Sequence, residues 1–228
     1  MLSIVVPTLN AERTLVATLA ALVPAAVDGL LREVIVADGG STDATLAIAD
    51  AAGCGIVRAE PGRGVQLAAG AAAARSGWLL FLHADTVLDP EWAAAARRFI
   101  AAAEREGGER AAAFRFALDE PGARARLLER FVALRCLLFA LPYGDQGLLI
   151  SRRLYDALGG FQPLPIMEDV NMVRRVGRRR LHMLPARAVT SAERYRRQGF
   201  VLRGAHNLAC LSLYFLRVPP RLIARLYG

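Results

Sequence analysis

The 228-residue sequence predicts an α/β fold: a Rossmann-like, mostly parallel sheet flanked by helices, with a C-terminal helical extension. Three observations carry this expectation. Short continuous apolar runs alternate with helical patterns along the first hundred residues, as in strands that crossover helices bury on both faces. Polar clusters follow those runs at their carboxyl ends, where open parallel sheets bind ligands. The length suits one compact domain with a full core and no need of disulfides.

Ser3–Pro7 is an apolar run that stops at proline, and Ala11–Leu22 then has helical spacing. Glu33–Val36 is a second buried-strand run, ending at Ala37-Asp38-Gly39-Gly40. Asp43–Ala52 reads as helix, Ile56–Arg58 as a short strand and Arg63–Arg75 as an alanine-rich helix. Trp78–Leu82 is the fourth strand, followed by His83-Ala84-Asp85 and a helix from Pro90. Beyond about residue 107 the rhythm changes. Ala111–Leu118 and Gly147–Ser151 are expected strands, and Arg124–Leu141, Glu168–Val176 and Arg196–Leu216 expected helices. The last carries arginines around an apolar stripe.

The formal charge is +8, and every basic side chain is arginine. These arginines are scattered without interleaved aromatics, which argues against nucleic acid as partner. Attraction to anionic phosphates or an anionic lipid surface remains open. Cys54, Cys136 and Cys210 are widely spaced and form no C-x-x-C pair, so neither zinc knuckle nor disulfide framework is expected, and reduced thiols fit the cytosol. The start, MLSIVVPTLNAE, has no basic segment before an apolar stretch and does not read as a signal peptide. The best apolar runs, Phe131–Leu141 and Leu208–Leu216, are short, and Arg135 interrupts the first. Both fall below the ~20 apolar residues a spanning helix needs. A cytoplasmic location is expected, with the inner membrane face as the surface that a basic, apolar last helix suits. The same stripe would serve a lipid-like acceptor or a homodimer interface.

Four polar clusters carry chemistry. In Asp38-Gly39-Gly40-Ser41-Thr42-Asp43 an acid follows the second strand, where it can accept hydrogen bonds from a nucleobase or ribose, and the glycines let backbone approach a ligand. Thr42 or Asp43 can alternatively cap the next helix. His83-Ala84-Asp85 places a carboxylate at a strand's end, suited to a hard cation that takes its other ligands from phosphates; the alternative is a turn cap beside a structural histidine. Met167-Glu168-Asp169 follows a proline-rich loop, so its acids are either dipole partners of a helix or a general base. Gly144-Asp145-Gln146-Gly147 is a polar loop suited to sugar hydroxyls or a simple turn. Arg194, Arg196 and Arg197 precede the last helix, either to meet a diphosphate or phospholipid headgroup or as a solvated face. A dinucleotide fingerprint is absent, because Pro7-Thr8-Leu9-Asn10 stands where G-x-G-x-x-G would open the first helix.

The order IVVPTLNAERTL, EVIVADGGSTDAT, GRGVQLAAGAAAARSGWLLFLHADT and MEDV resembles glycosyltransferase family 2, with its GT-A fold. TSAERYRRQGFVLRGAHN is similar to a small bacterial subgroup that carries H-A-D-T and is often associated with radical-SAM proteins, for which arsenosugar biosynthesis has been proposed. The resemblance implies one domain over 1–228, with residues 1–107 binding the nucleotide, residues 108–228 binding the acceptor and Gly107-Gly108 as the seam. It implies that Pro7, Thr8, Leu9 and Glu12 line the nucleotide pocket, that Asp38, with Gly39 beside it, reads the base, and that Arg63 and Ala84 lie near the nucleotide. Asp85 would be the metal ligand, with His83 standing in place of the first acid of D-x-D. Asp169 would be the catalytic base, with Glu168 orienting the loop or acceptor. The implied cofactor is Mn2+ or Mg2+ and the implied co-substrate a nucleoside diphosphate sugar, UDP-linked in the leading reading. Gly39 also replaces a second acid common in D-D-G-S. Without a Q-x-x-R-W signature, single transfer is favoured over polymerisation. The competing readings are a sugar-phosphate nucleotidyltransferase and a non-catalytic binding protein.

Overall fold

The computed structural model describes residues 1–227; the side chains of Arg194 and Tyr227 lie outside the described part. Four strands, β1 (Leu2–Thr8), β2 (Leu31–Asp38), β3 (Gly55–Arg58) and β4 (Trp78–Phe81), run parallel. Between them come α1 (Glu12–Ala20), α2 (Val23–Val27), α3 (Thr45–Ala51) and α4 (Arg63–Ala73). The chain continues through β5 (Thr86–Leu88), α5 (Trp92–Arg105), β6 (Ala111–Leu118) and α6 (Ala123–Phe139). A single 3-10 turn, Gly144–Gln146, leads into β7 (Leu148–Ser151), α7 (Arg152–Ala157), α8 (Glu168–Val176) and β8 (Leu181–Thr190). Three helices end it: α9 (Glu193–Gln198), α10 (Phe200–Phe215) and α11 (Pro220–Tyr227).

All eight strands belong to one sheet, in the order β3-β2-β1-β4-β7-β6-β8-β5. Side chains of β1 alternate between its two faces as strand geometry requires. Leu2, Ile4 and Val6 enter the core layer that holds Trp92 and Phe114, and Val5 enters the layer that holds Leu67, Phe81 and Met172. On that second face α4 lies unusually close to β1, because a side-chain carbon at Gly70 would come within 2.3 Å of Val5.

One antiparallel pairing positions the site. β7 lies against β4 with Phe81 opposite Leu148. The residues that leave the tip of β4 therefore face those that enter β7. His83–Asp85 and Tyr143–Gly147 come from distant parts of the sequence and meet there.

The structure differs from the sequence expectation in several elements: the short helices α2, α7 and α11 were not anticipated, and three further differences have a local cause. The expected helix Arg196–Leu216 is two helices, α9 and α10, broken at Gly199, whose φ of +82° favours glycine. Strand β8 was not anticipated, because Pro185 lies inside it and proline donates no ladder hydrogen bond. It is accommodated at an irregularity: Ala113 pairs with Met183, but Arg115 pairs with Arg187. β5, three residues long, gives too short a pattern to be read as a strand. The seam at Gly107-Gly108 is a left-handed turn between α5 and β6, and the sheet continues across it. No helix among the described residues is long and apolar enough to cross a membrane.

Candidate active site

The side of the site expected to hold the nucleotide is a pair of loops knitted together by side chains. The Asn10 amide donates to Ser41 Oγ at 2.9 Å, and Asn10 Oδ1 accepts from the Thr42 amide at 2.9 Å. Glu12 and Asp43 exchange bonds in the same way: the Glu12 amide donates to Asp43 Oδ2, and Glu12 Oε2 accepts from the Ala44 amide. Asn10 holds a left-handed φ of +52°, a conformation short polar side chains tolerate better than most. Pro7 and Thr8 form the tip of β1, and Leu9 is exposed at the mouth. The Ala84 carbonyl accepts from Thr18 Oγ1, which ties the opposite wall to α1.

Asp38, expected to read the base, is bonded within its own loop. It is 1% exposed, and both carboxylate oxygens are taken up inside its own loop. Oδ1 accepts from Thr8 Oγ1 at 3.0 Å and from Ser41 Oγ at 2.5 Å. Oδ2 accepts from the Gly40 and Ser41 amides at 2.9 Å each. Burial opposes its charge, but the bonds from the Ser41 hydroxyl, the two amides and Thr8 outweigh it and hold the carboxyl below its ordinary range. Asp38 therefore shapes the loop as a permanent anion. Gly39 is equally committed: the space a side chain would need there holds the Gln66 carboxamide, 3.0 Å away. Gln66, buried on α4, donates to the carbonyls of Thr8 and Ala37 and so locks the ends of β1 and β2 together.

The acidic side is built by β4, the turn before β7 and the start of α8. Asp169 Oδ2 accepts from the Gly144 amide at 2.6 Å, and Oδ1 accepts from its neighbour Val170 at 2.7 Å. A side-chain carbon at Gly144 would lie 2.6 Å from His83 Nε2 and 3.3 Å from Asp169 Oδ2. Residue 144 must be glycine for histidine and aspartate to come this close. His83, expected at a metal, thus faces Gly144 and Asp169. These groups border an open cleft of about 390 Å³ that Tyr143, Phe161 and Glu168 also line.

Asp145, expected only in a polar loop suited to sugar hydroxyls or a simple turn, lies among the acids. Its Oδ1 is shielded from solvent with no hydrogen-bond partner, and burial, with Asp169 and Asp85 nearby, pushes its pKa up to about 6 against the pull of Arg135 and Arg63. Arg135 is the organiser of this loop. It stacks over the Tyr143 ring at 3.4 Å, donates to the Leu141 carbonyl and reaches Gln146 Oε1. The charge that interrupts an apolar helix in the sequence is spent here.

Glu168, at the start of α8, is 2% exposed, and its Oε1 lies 3.5 Å from Arg63 Nη1 without a hydrogen bond. Burial and the adjacent Asp169 push its pKa up to about 7, against the pull of Arg63. Arg63 is the first residue of α4, so its guanidinium reaches Glu168 from the start of that helix. Met167, buried and at φ +65°, forces the sharp turn that delivers Glu168 and Asp169. The loop before it presses on α4 at Gly64, where a side-chain carbon would come within 2.3 Å of the Gln162 carbonyl. Among the described residues no group of three or more His, Cys, Asp or Glu side chains converges to hold a metal by itself. Asp85 and Asp145 offer hard oxygen donors and leave coordination to be completed by a ligand, which fits Mg2+ or Mn2+.

The family model described as glycosyl transferase family 2 matches residues 3–145. The chain belongs to this family. The match runs from β1 into the 3-10 turn and ends at Asp145, so Gln146, Phe161, Met167, Glu168 and Asp169 lie beyond it. Solved glycosyltransferases share the GT-A architecture of this sheet. Glucosyl-3-phosphoglycerate synthase from Mycobacterium tuberculosis, in complex with Mn2+, UDP and glucosyl-3-phosphoglycerate, is 25% identical. That alignment covers 84% of this chain and 70% of the synthase, with a TM-score of 0.58. The same synthase with Mn2+, UDP-glucose and phosphoglyceric acid aligns over 80% of this chain and 68% of its own at 25% identity and a TM-score of 0.58. S. aureus TarS 1-349, at 20% identity over 84% of this chain and 60% of that one, has a TM-score of 0.64 and so shares the fold. No curated protein matches the sequence.

Two outcomes test this geometry. Gly64→Ala must displace the Gln162 backbone, so glycosyl transfer should fall well before the melting temperature drops by more than a few degrees; circular dichroism beside an activity assay measures both. Because the folded-state pKa of Glu168 is raised from 4.5 to about 7, its contribution to stability is complete below its unfolded value and is lost as pH rises through about 7. Glu168→Gln should therefore gain stability relative to the parent between about pH 5 and about pH 8. Melting curves at the two pH values measure the gap.

Proposed function

We propose that this glycosyltransferase moves a sugar from a nucleoside diphosphate sugar, UDP-linked, to an acceptor hydroxyl of a small molecule or lipid in one inverting displacement. The observation that carries the reading is the meeting of Asp85, Asp145 and Asp169 beside Arg63 and the start of α4. Acids on one side can hold a cation and accept a proton, and positive charge on the other receives a diphosphate. The similar mycobacterial synthase in complex with Mn2+ and UDP or UDP-glucose supports the same donor chemistry.

In this reading Asp169 takes the proton from the acceptor hydroxyl, whose oxygen attacks the anomeric carbon as the bond to the diphosphate breaks. The Gly144 amide fixes Oδ2 of that carboxylate, and His83 stands against it to set its orientation. Buried Glu168 pairs with the partly exposed Arg63, which positions the loop, and the Arg63 guanidinium meets the leaving diphosphate with positive charge. Pro7, Thr8 and Leu9 form the base-side wall, and Asp38, Gly39 and Glu12 hold it in shape. Asp85 would bind Mn2+ or Mg2+, with Asp145 beside it. Such an ion supplies Lewis-acid neutralisation of the leaving diphosphate.

The two halves flanking Gly107-Gly108 divide the work, with residues 1–107 holding the nucleotide and residues 108–228 the acceptor. We infer from H-A-D-T and from the resemblance of TSAERYRRQGFVLRGAHN that the chain falls in the radical-SAM-associated subgroup. A nucleotidyltransferase is disfavoured by the first loop, Pro7-Thr8-Leu9-Asn10, which offers neither a glycine-rich cradle nor a basic residue.

A thermal-shift screen of nucleotide sugars with and without Mn2+ tests the donor, because any ligand that favours the folded state raises its stability. UDP-sugars should stabilise the protein only with the metal, and Asp85→Ala should remove that dependence. Asp169→Asn should lower turnover by about 10²–10⁴-fold while nucleotide binding persists. Near-normal turnover in Asp169→Asn would remove the base assignment.

A further inference from the structure

Helix α6 is apolar on two opposite faces. Ala125, Val132 and Cys136 form the buried stripe against β6. Leu127, Phe131, Leu134 and Leu138, spaced by four, three and four residues, form a second stripe on the outward face. Each of the four is exposed, Phe131 to 60%. Soluble proteins seldom leave such a stripe in water.

The neighbouring α10 repeats the arrangement. Its core side holds Arg203, Cys210 and Leu211, and its outward side is Val201, Leu202, Leu208 and Leu216, with no charged residue among them. Val201 is 86% exposed. α11, packed against α10, exposes Leu222 and Leu226, each next to an exposed arginine, Arg221 and Arg225. Exposed Arg124 and Arg130 flank the stripe of α6 in the same way.

The charge pattern decides what covers this surface. Residues 194–228 contain no acidic residue, and Arg197, Arg217, Arg221 and Arg225 in that segment are exposed. A symmetric dimer through this face would set arginine against arginine, since a two-fold interface pairs a patch with itself. An anionic bilayer instead takes leucine and phenylalanine into its acyl boundary and pairs the arginines with headgroup phosphates.

We infer that α6, α10 and α11 seat the enzyme on an anionic membrane surface. α6 continues through Ala140, at φ +50°, into the loop that carries Tyr143, Gly144 and Asp145, and Arg135 on α6 grips that loop. The seated face therefore adjoins the acceptor side of the cleft. Resting on the proposed glycosyl transfer, this places the acceptor hydroxyl on a molecule held at the membrane surface.

Co-sedimentation with vesicles tests the docking. The full chain should bind vesicles of phosphatidylcholine and phosphatidylglycerol in equal parts at low salt, and far less to phosphatidylcholine alone or at high salt. Phe131→Glu with Leu134→Glu should weaken binding by about tenfold or more, with an unchanged melting temperature and unchanged stabilisation by UDP-sugars and Mn2+. If that pair fails to fold, Arg221→Gln with Arg225→Gln should lower binding to the anionic vesicles and its salt sensitivity. Absence of vesicle binding by the parent chain, or equal binding by the variants, overturns the proposal. So does a parent chain that is dimeric in solution and that the glutamate pair renders monomeric, because the face is then a protein interface. The thermal-shift readout is separate, so loss of docking with intact nucleotide response leaves the donor reading standing.

Discussion

A hydrogen bond of 2.6 Å from the Gly144 amide to Asp169 Oδ2 joins two parts of the chain that share nothing in sequence. One is the turn that precedes β7, held from α6 by Arg135; the other is the start of α8, held from α4 by Arg63. Gly144 is required because His83 occupies the volume a side chain would need. The antiparallel pairing of β7 with β4 brings these pieces into reach, and this bond fixes their separation.

The acids around it are an unstable combination by themselves. Asp145 and Glu168 are each shielded from water and raised by a neighbouring carboxylate, and each has an oxygen without a hydrogen-bond partner. Such groups cost stability, and folds retain them where charge is to be received. Asp38 is the contrast. It is as buried as Glu168, yet four donors satisfy it and lower its pKa. One acid is satisfied within its loop, and the others keep an oxygen without a hydrogen-bond partner.

The backbone tells the same story. Three of the non-glycine residues with positive φ, Asn10, Ala140 and Met167, sit in the loops that surround the cleft. Each costs energy that the packing around it must offset. Gly64 and Gly70 let α4 close against the α8 loop and β1, so the helix carrying Arg63 has little freedom to move. Preorganisation of this kind lets a site stabilise charge that develops only during reaction.

The sequence by itself determined the local part of this protein. The apolar runs of β1, β2 and β4 and the helix patterns between them follow from burial on both faces of a sheet, and the ordered motifs pointed to the family. The places of Asp85, Arg63, Glu168 and Asp169 at element ends were legible because residue type and position at an element end are local signals. Tertiary structure decided what Asp38 and Glu12 do, since a carboxylate's partners across two loops leave no periodic trace. It decided the roles of Asp145 and Arg135, which depend on strand pairing between residues far apart. β8 escaped notice because Pro185 argues against a strand unless an irregular register accommodates it. The outward stripe of α6 shows the limit most plainly: periodicity finds an apolar face, but only packing says which face meets the core.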